Sequence, residues 1–267
     1  MACPSCVPFQ KWHKMRPKAA QIQCHGRRNW AVPMRIEQLI SAGRVTGEEG
    51  VHTVRYFALY SLACLLFGEA AAQAVHGGVC RPVSERDQEV GCWILSNDPI
   101  GELAGNQVFW HLDSFATREA AEAAKGKRST VLQALGKVWL LTIDDADWRA
   151  SGGQHISTIG PLPIIPGAFA AQYMEAVFTP GMTAPTHTHS GPEAWYTVAG
   201  ETCLETPDGV QFGRAGGPPV IVPGGSPMHL TATGTEIRRA LVLILHDANQ
   251  PATTLHHDWK PKGLCKK

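Results

Sequence analysis

The sequence predicts a mainly β protein, a small α+β unit followed by an all-β sandwich or barrel. Three observations carry this. The 267 residues include 27 Gly and 19 Pro, a composition that favours turns and short strands over a helical bundle. In the second half, short apolar segments recur every 8–12 residues or so with turn residues between them, the spacing of a sandwich or barrel. Between residues 90 and 150, strand-like segments alternate with one segment that reads as a helix, 117–125.

Composition sets outer bounds. Hydrophobic residues make 44% and charged residues 18% of the chain, ordinary globular values that exclude collagen-like and fully disordered chains. At roughly 150 residues per domain the length allows one or two domains. The net charge of +1 gives no support to nucleic-acid binding, which needs excess Lys and Arg on one face.

The elements follow in order. Residues 1–53 form a basic extension, with eight Lys/Arg against three Asp/Glu. Residues 54–74 read as a secretory signal peptide: Arg55, an apolar run from Tyr56 to Phe67, then Ala72-Gln73-Ala74 as the cleavage site. The run falls short of the roughly 20 residues a membrane span needs, so no span is expected in the mature form. The bland alternative is a buried core helix. A signal peptide this far from Met1 implies a start assigned too early, with Val51 or Val54 as candidate true starts, and puts the extension outside the native mature protein. Cys3-x-x-Cys6 is half a zinc site, and Cys24-His25 supplies no credible second half. Cleavage after Ala74 leaves Cys80, Cys92, Cys203 and Cys265. An even number in an exported chain is compatible with two disulfides. Three pairings are possible; Cys80–Cys92 with Cys203–Cys265 comes first because the former is local, and buried free thiols are the alternative.

Residues 75–152 form the small α+β unit after an irregular lead-in to about residue 90. Segments 91–95 and 107–112 are strands by their aromatic and β-branched content, separated by the turn signal Ser96-Asn97-Asp98-Pro99. Thr117 is the expected N-cap of the helix, with acidic residues early, Lys125 late and Gly126 to end it. Segment 137–143 is a third strand. Trp110-His111 reads as structural. Residues 153–255 hold the β-rich part, with strands expected at 170–178, 194–198, 202–205, 219–222, 228–231 and 238–245, and a hairpin turn at Pro207-Asp208-Gly209. Residues 256–267 are a tail.

The chemistry sits at Gly181–Gly200, where the spacing is G-x5-H-x-H-x3-E-x6-G. Side chains at i and i+2 of a strand share a face, so His187 and His189 point the same way. Ser190-Gly191-Pro192 can reverse the chain and bring Glu193 alongside. Two neutral imidazoles and one carboxylate make a three-ligand face for Fe, Mn or Zn as the divalent cofactor, with the opposite side open to water or substrate.

At every specified position this stretch resembles the first motif of the cupin superfamily. The resemblance implies a double-stranded β-helix, a jelly-roll barrel with a metal inside, and it assigns the metal to His187, His189 and Glu193. The runs HSGPEAWY and CLETPDG are similar to those of exported bacterial cupins. The second cupin motif is only partly present. Gly217, Pro223 and Gly225 fit its frame, but Met228 stands where a His ligand belongs, and Thr231 and Ala232 bracket the slot for Asn. His229 is one residue late and would face away, unless a bulge in 223–227 re-aims it as a fourth ligand.

The remaining candidates have bland readings. Trp195 shares a face with Glu193 and lines the barrel as packing, whereas Tyr196 points elsewhere. Glu205 is a group supporting the ligands or a salt-bridge partner. His246-Asp247 is structural, Arg238-Arg239 a solvated strand end more than a clamp for an anion, and His256-His257 without partners. The expected function is an exported, periplasmic or secreted, metal-binding cupin acting on or binding a small polar molecule. If it is an enzyme, the resemblance admits dioxygenase, isomerase or decarboxylase chemistry. The alternative is a non-catalytic ligand-binding or structural cupin with weak or no metal. A homodimer is possible through exposed sheet edges.

Overall fold

The computed structural model describes residues 80–105 and 108–265, so the basic extension, the segment 54–74 expected as a signal peptide and Gln107 lie outside the described residues. The strands are β1 (Arg81–Pro82), β2 (Gly91–Leu103), β3 (Phe109–Phe115), β4 (Ser129–Ala134), β5 (Lys137–Asp144), β6 (Gln154–Ile159), β7 (Gly167–Phe178), β8 (His187–Thr188), β9 (Glu193–Ala199), β10 (Glu201–Thr206), β11 (Gly209–Arg214), β12 (Val220–Val222), β13 (His229–Thr233), β14 (Arg238–Asp247) and β15 (Thr254–Leu255). One α-helix, α1 (Arg118–Ala123), stands among them, and the Thr117 hydroxyl accepts from the Ala120 N–H at 3.2 Å, as its N-cap position predicts. Among the described residues no helix is long and apolar enough to cross a membrane.

The centre is a six-stranded sheet in the order β1-β2-β7-β14-β9-β12. One face meets the three-stranded sheet β11-β10-β13, and the apolar interior between them holds Met174, Val242, Ile244, Leu204 and Leu230. This is the jelly-roll arrangement of a double-stranded β-helix. It is not hydrogen-bonded around its whole circumference: the link from the 183–187 segment to the three-stranded sheet and its lead-in is two isolated bridges, Thr183 to Thr231 and His187 to Met228. The other face meets the four-stranded sheet β4-β5-β3-β6 through a second core that includes Leu112, Leu141, Tyr173, Leu243 and Leu245. Helix α1 covers the far side of that sheet, with Ala121 against Leu140.

This layering explains the run Leu241-Val242-Leu243-Ile244-Leu245. A strand buried on one face alternates, whereas the middle of β14 is covered on both and is apolar at every position from Ala240 to Leu245. Each such fully buried side chain contributes about 1.5–3 kcal/mol.

Three local expectations change. Ser96–Pro99 is not a turn: β2 runs through it, with register shifts at Ile94/Ser96 and Pro99/Gly101. Beyond Ile94 the described residues offer β2 no second strand partner, so an edge position tolerates the missing Pro99 donor and the turn residues become bulges. The 91–95 segment therefore belongs to the central sheet and does not pair with β3. Strands β4, β6 and β11 escaped the sequence reading because each is a six-residue segment of mixed polarity in which few side chains are buried. Both disulfides, Cys80–Cys92 and Cys203–Cys265, join the pairs put first by locality.

Candidate metal centre

His187, His189 and Glu193 come together at one end of the double-sheet interior. Their ligand atoms all lie within 4.8 Å of one another, and His189 Nε2 stands 3.5 Å from Glu193 Oε2. The segment that carries them is tied down along its length. His187 exchanges backbone hydrogen bonds with Met228 at 3.2 and 2.9 Å, and β8 pairs with β15. The His189 carbonyl accepts from Gly225 N–H at 2.8 Å, and the Pro192 carbonyl from Leu245 N–H at 2.9 Å. Glu193 opens β9 between Val222 and Ile244.

The reversal between His189 and Glu193 requires glycine at 191. A Cβ there would fall inside contact distance of the Leu245 carbonyl and close to His246 Cα. Gly200, which closes the motif, has φ of 68°, and its missing Cβ lets the backbone of Arg238 approach: an added Cβ would stand 2.8 Å from Arg238 Cα.

Both imidazoles are held by their outer nitrogens. His187 Nδ1 donates to the Pro185 carbonyl at 2.7 Å, and His189 Nδ1 to the Ala252 carbonyl at 2.7 Å. A proton fixed on Nδ1 leaves the Nε2 lone pair available inward, the outer-partner arrangement of histidine metal ligands. Burial pushes His187 below its ordinary pKa. Burial also opposes charge on His189, but the Glu193 carboxylate outweighs it and raises this imidazole. The same pairing outweighs burial at Glu193 and holds its carboxyl below the usual carboxylate range.

The donor set fits a divalent metal. His189 Nε2 and Glu193 Oε2 are buried without hydrogen-bond partners among the described residues, a state that is costly unless something binds there. Two ligands of one ion at about 2.1 Å each stand at most about 4.2 Å apart. The set would close only slightly to reach that.

The three groups line a cavity of about 60 Å³, space for a handful of water-sized groups. Its walls are mostly apolar, including Met174, Phe178, Leu230 and Ile244, with the Cys80–Cys92 disulfide at one side. Trp195 lines it too, on the face of Glu193 as expected, while Tyr196 packs toward the opposite core. Met228 is fully buried in the interior apolar cluster. His229 lies outside the ligand group, half-buried opposite Glu205 on β10.

The other sequence candidates are structural. Glu205 is neither a support for the ligands nor a salt-bridge partner: its carboxylate accepts the backbone N–H of Lys262 and, at 2.8 Å, of Leu264, anchoring the tail. His246 bonds Asn97 and two backbone carbonyls. His111 belongs to a network with Thr158, His155 and Asp113. The His256 backbone N–H donates to Thr186. Arg239 pairs with Glu89 at 2.5 Å.

Arg238 overturns its expectation. It is 1% exposed, not a solvated strand end, and it lines the same cavity as the triad. The signal was in the parity of β14: positions 238, 240, 242 and 244 share one face, and Val242 and Ile244 point into the interior.

No protein-family model matches the chain, and no curated protein matches it. Several solved structures are similar to part of it. A DMSP lyase structure is 18% identical over 33% of this chain and 44% of its own, with a TM-score of 0.29. Oxalate decarboxylase from Bacillus subtilis is 21% identical over 36% of this chain and 27% of its own, TM-score 0.28. A cupin-like protein from Thermotoga maritima is 14% identical over 34% of this chain and 77% of its own, TM-score 0.30. The chain thus spans less than half of the lyase and of the decarboxylase.

Proposed function

We propose that this mainly β, double-stranded β-helix protein is an exported metal-binding cupin that holds one divalent ion through His187, His189 and Glu193 and binds or transforms a small polar molecule beside it. The observation that carries the reading is the trio of inward-facing donors lining a mostly apolar cavity, two of them buried with no hydrogen-bond partner among the described residues, with both imidazole tautomers set by backbone carbonyls. When bound, such an ion polarises a ligand oxygen or activates water or dioxygen. The chain's own part is to orient the three donors, exclude bulk water with apolar walls and limit ligand size. Export is supported by two disulfides, which persist in oxidising compartments.

A second reading, a cupin that binds its ligand without turnover, is favoured by one residue. Met228 fills the place of a fourth ligand with a soft thioether that adds little for Mn or Fe.

Elemental analysis of protein from native periplasm or medium tests the metal and export together. Wild type should carry about one equivalent of metal per chain, and His187→Ala and Glu193→Ala should each lose it. Full occupancy in both variants rejects the site. Oxygen-uptake and consumption assays over a panel of small acids and diols then separate enzyme from binder.

A further inference from the structure

Arg238 is a buried cation that forms no ion pair among the described residues. Its guanidinium lies between two rings, 5.2 Å from the Trp195 centroid and 5.6 Å from that of Phe178. Among the described residues its Nε and Nη2 find no hydrogen-bond partner. Burial pushes the group down to about 10, which leaves it charged at neutral pH. Ring faces stabilise a cation from its flat sides but leave the N–H edge unsatisfied. An uncompensated buried charge is strongly unfavourable, and it persists in a native structure when something supplies the missing partner.

Among the described residues the missing partner is not found: Glu193 acts on Arg238 only through space, without a hydrogen bond or ion pair. Glu193 is the one carboxylate among the residues lining the cavity, and it faces His189. A divalent ion on the triad would leave Glu193 neutralised and the cavity carrying excess positive charge from the ion and from Arg238. The free edge of a guanidinium is a planar fork of parallel donors that matches a carboxylate in bidentate fashion. The cavity, at about 60 Å³, admits a ligand of only a few heavy atoms, and its remaining wall is apolar.

We propose that Arg238 is the anion anchor of this cavity and that the ligand is a small ionised carboxylic acid, its carboxylate held by the guanidinium and its other end turned toward His187, His189 and Glu193. The inference deepens the metal reading of that site and rests on it for the orientation of the ligand. Arg238 is thus a specificity-determining residue, and Gly200 serves it by admitting its backbone.

The test uses the full chain, with and without added Mn(II). Acetate, glycolate and lactate are titrated against acetamide, glycolamide and lactamide by ligand-observed NMR, with sulfate as a competing anion. Wild type should prefer each acid over its amide by roughly tenfold to a hundredfold. Arg238→Met, close in volume and uncharged, should lose the preference while keeping wild-type metal content and an unchanged or higher Tm. Arg238→Lys keeps the charge but not the fork and should fall between them. Three results overturn the assignment: no acid preference in wild type, a preference retained in Arg238→Met, or sulfate displacing every carboxylate. If Arg238→Met fails to fold, a full wild-type preference in Arg238→Lys also overturns it. Metal is measured on the same samples. Acid preference without metal rejects only the metal reading, and metal without acid preference rejects only the anchor.

Discussion

Replacing Cys203 and Cys265 together by Ala tests whether the C-terminal tail is part of the metal site's frame. The bond closes 62 residues of chain. Loop-closure entropy at that separation stabilises the native state by about 4 kcal/mol. The tail it anchors runs from β15, which pairs with the strand carrying His187, through backbone N–H groups held by Glu205, to Cys265. Just before β15, the Ala252 carbonyl accepts from His189 Nδ1. Freeing Cys265 should fray the tail toward this point and loosen the orientation of His189. Loss of such an outer partner weakens metal binding by about 10–100-fold. Urea unfolding should show the stability loss, a midpoint lower by about 2 M for a slope near 2 kcal/mol/M. Competition against a chromophoric chelator should show the weaker metal binding. A stability loss below about 1 kcal/mol would refute the entropic argument. Full stability loss with unchanged metal affinity would refute the framing of His189 by the tail.

Gly191→Ala should destabilise the protein by about 3 kcal/mol or more, because the new methyl meets backbone of Leu245 and His246 that cannot rotate away; thermal unfolding reads this, and an unchanged Tm rejects the packing argument. Met228→His places an imidazole in the interior cluster, beside the bridge to His187, and should tighten metal binding by about tenfold or more, measured by the same chelator competition; no change means position 228 is not aimed at the ion. The metal-free protein should show a pH signature. His189 is raised above 6.5, so its stabilisation is complete below 6.5 and lost as pH rises through the folded value. Glu193 is lowered below 4.5, so its contribution is present above 4.5 and lost as pH falls through its folded value. Zn(II) added at pH 6.5 must displace the His189 proton, and a pH-indicator dye should record its release, less of it in Glu193→Gln; equal release would sink the pairing.

Much of the architecture was readable because it follows from short-range rules. Period-two patterning, turn residues and the apolar run at 241–245 place most strands of the β-rich half within a few residues. The helix near 117–125 was readable from its cap. Strands β4, β6 and β11 were not, since a short strand of mixed polarity presents no periodic signal and is recruited by its neighbour's free backbone groups. Ser96–Pro99 failed for a related reason: turn propensity is local, and a sheet edge can absorb it as bulges.

The site divides the same way. The sequence by itself determined the approach of His187, His189 and Glu193, because a two-residue offset sets a common face and Ser190-Gly191-Pro192 forces the reversal. Only the tertiary structure decided which carbonyls hold the imidazoles, that Glu205 serves the tail, and that Arg238 lies buried against Trp195 beside the triad. Those contacts join residues tens of positions apart, and their partners are chosen by how sheets stack. Chain-local chemistry carries no information about that until the layers have packed.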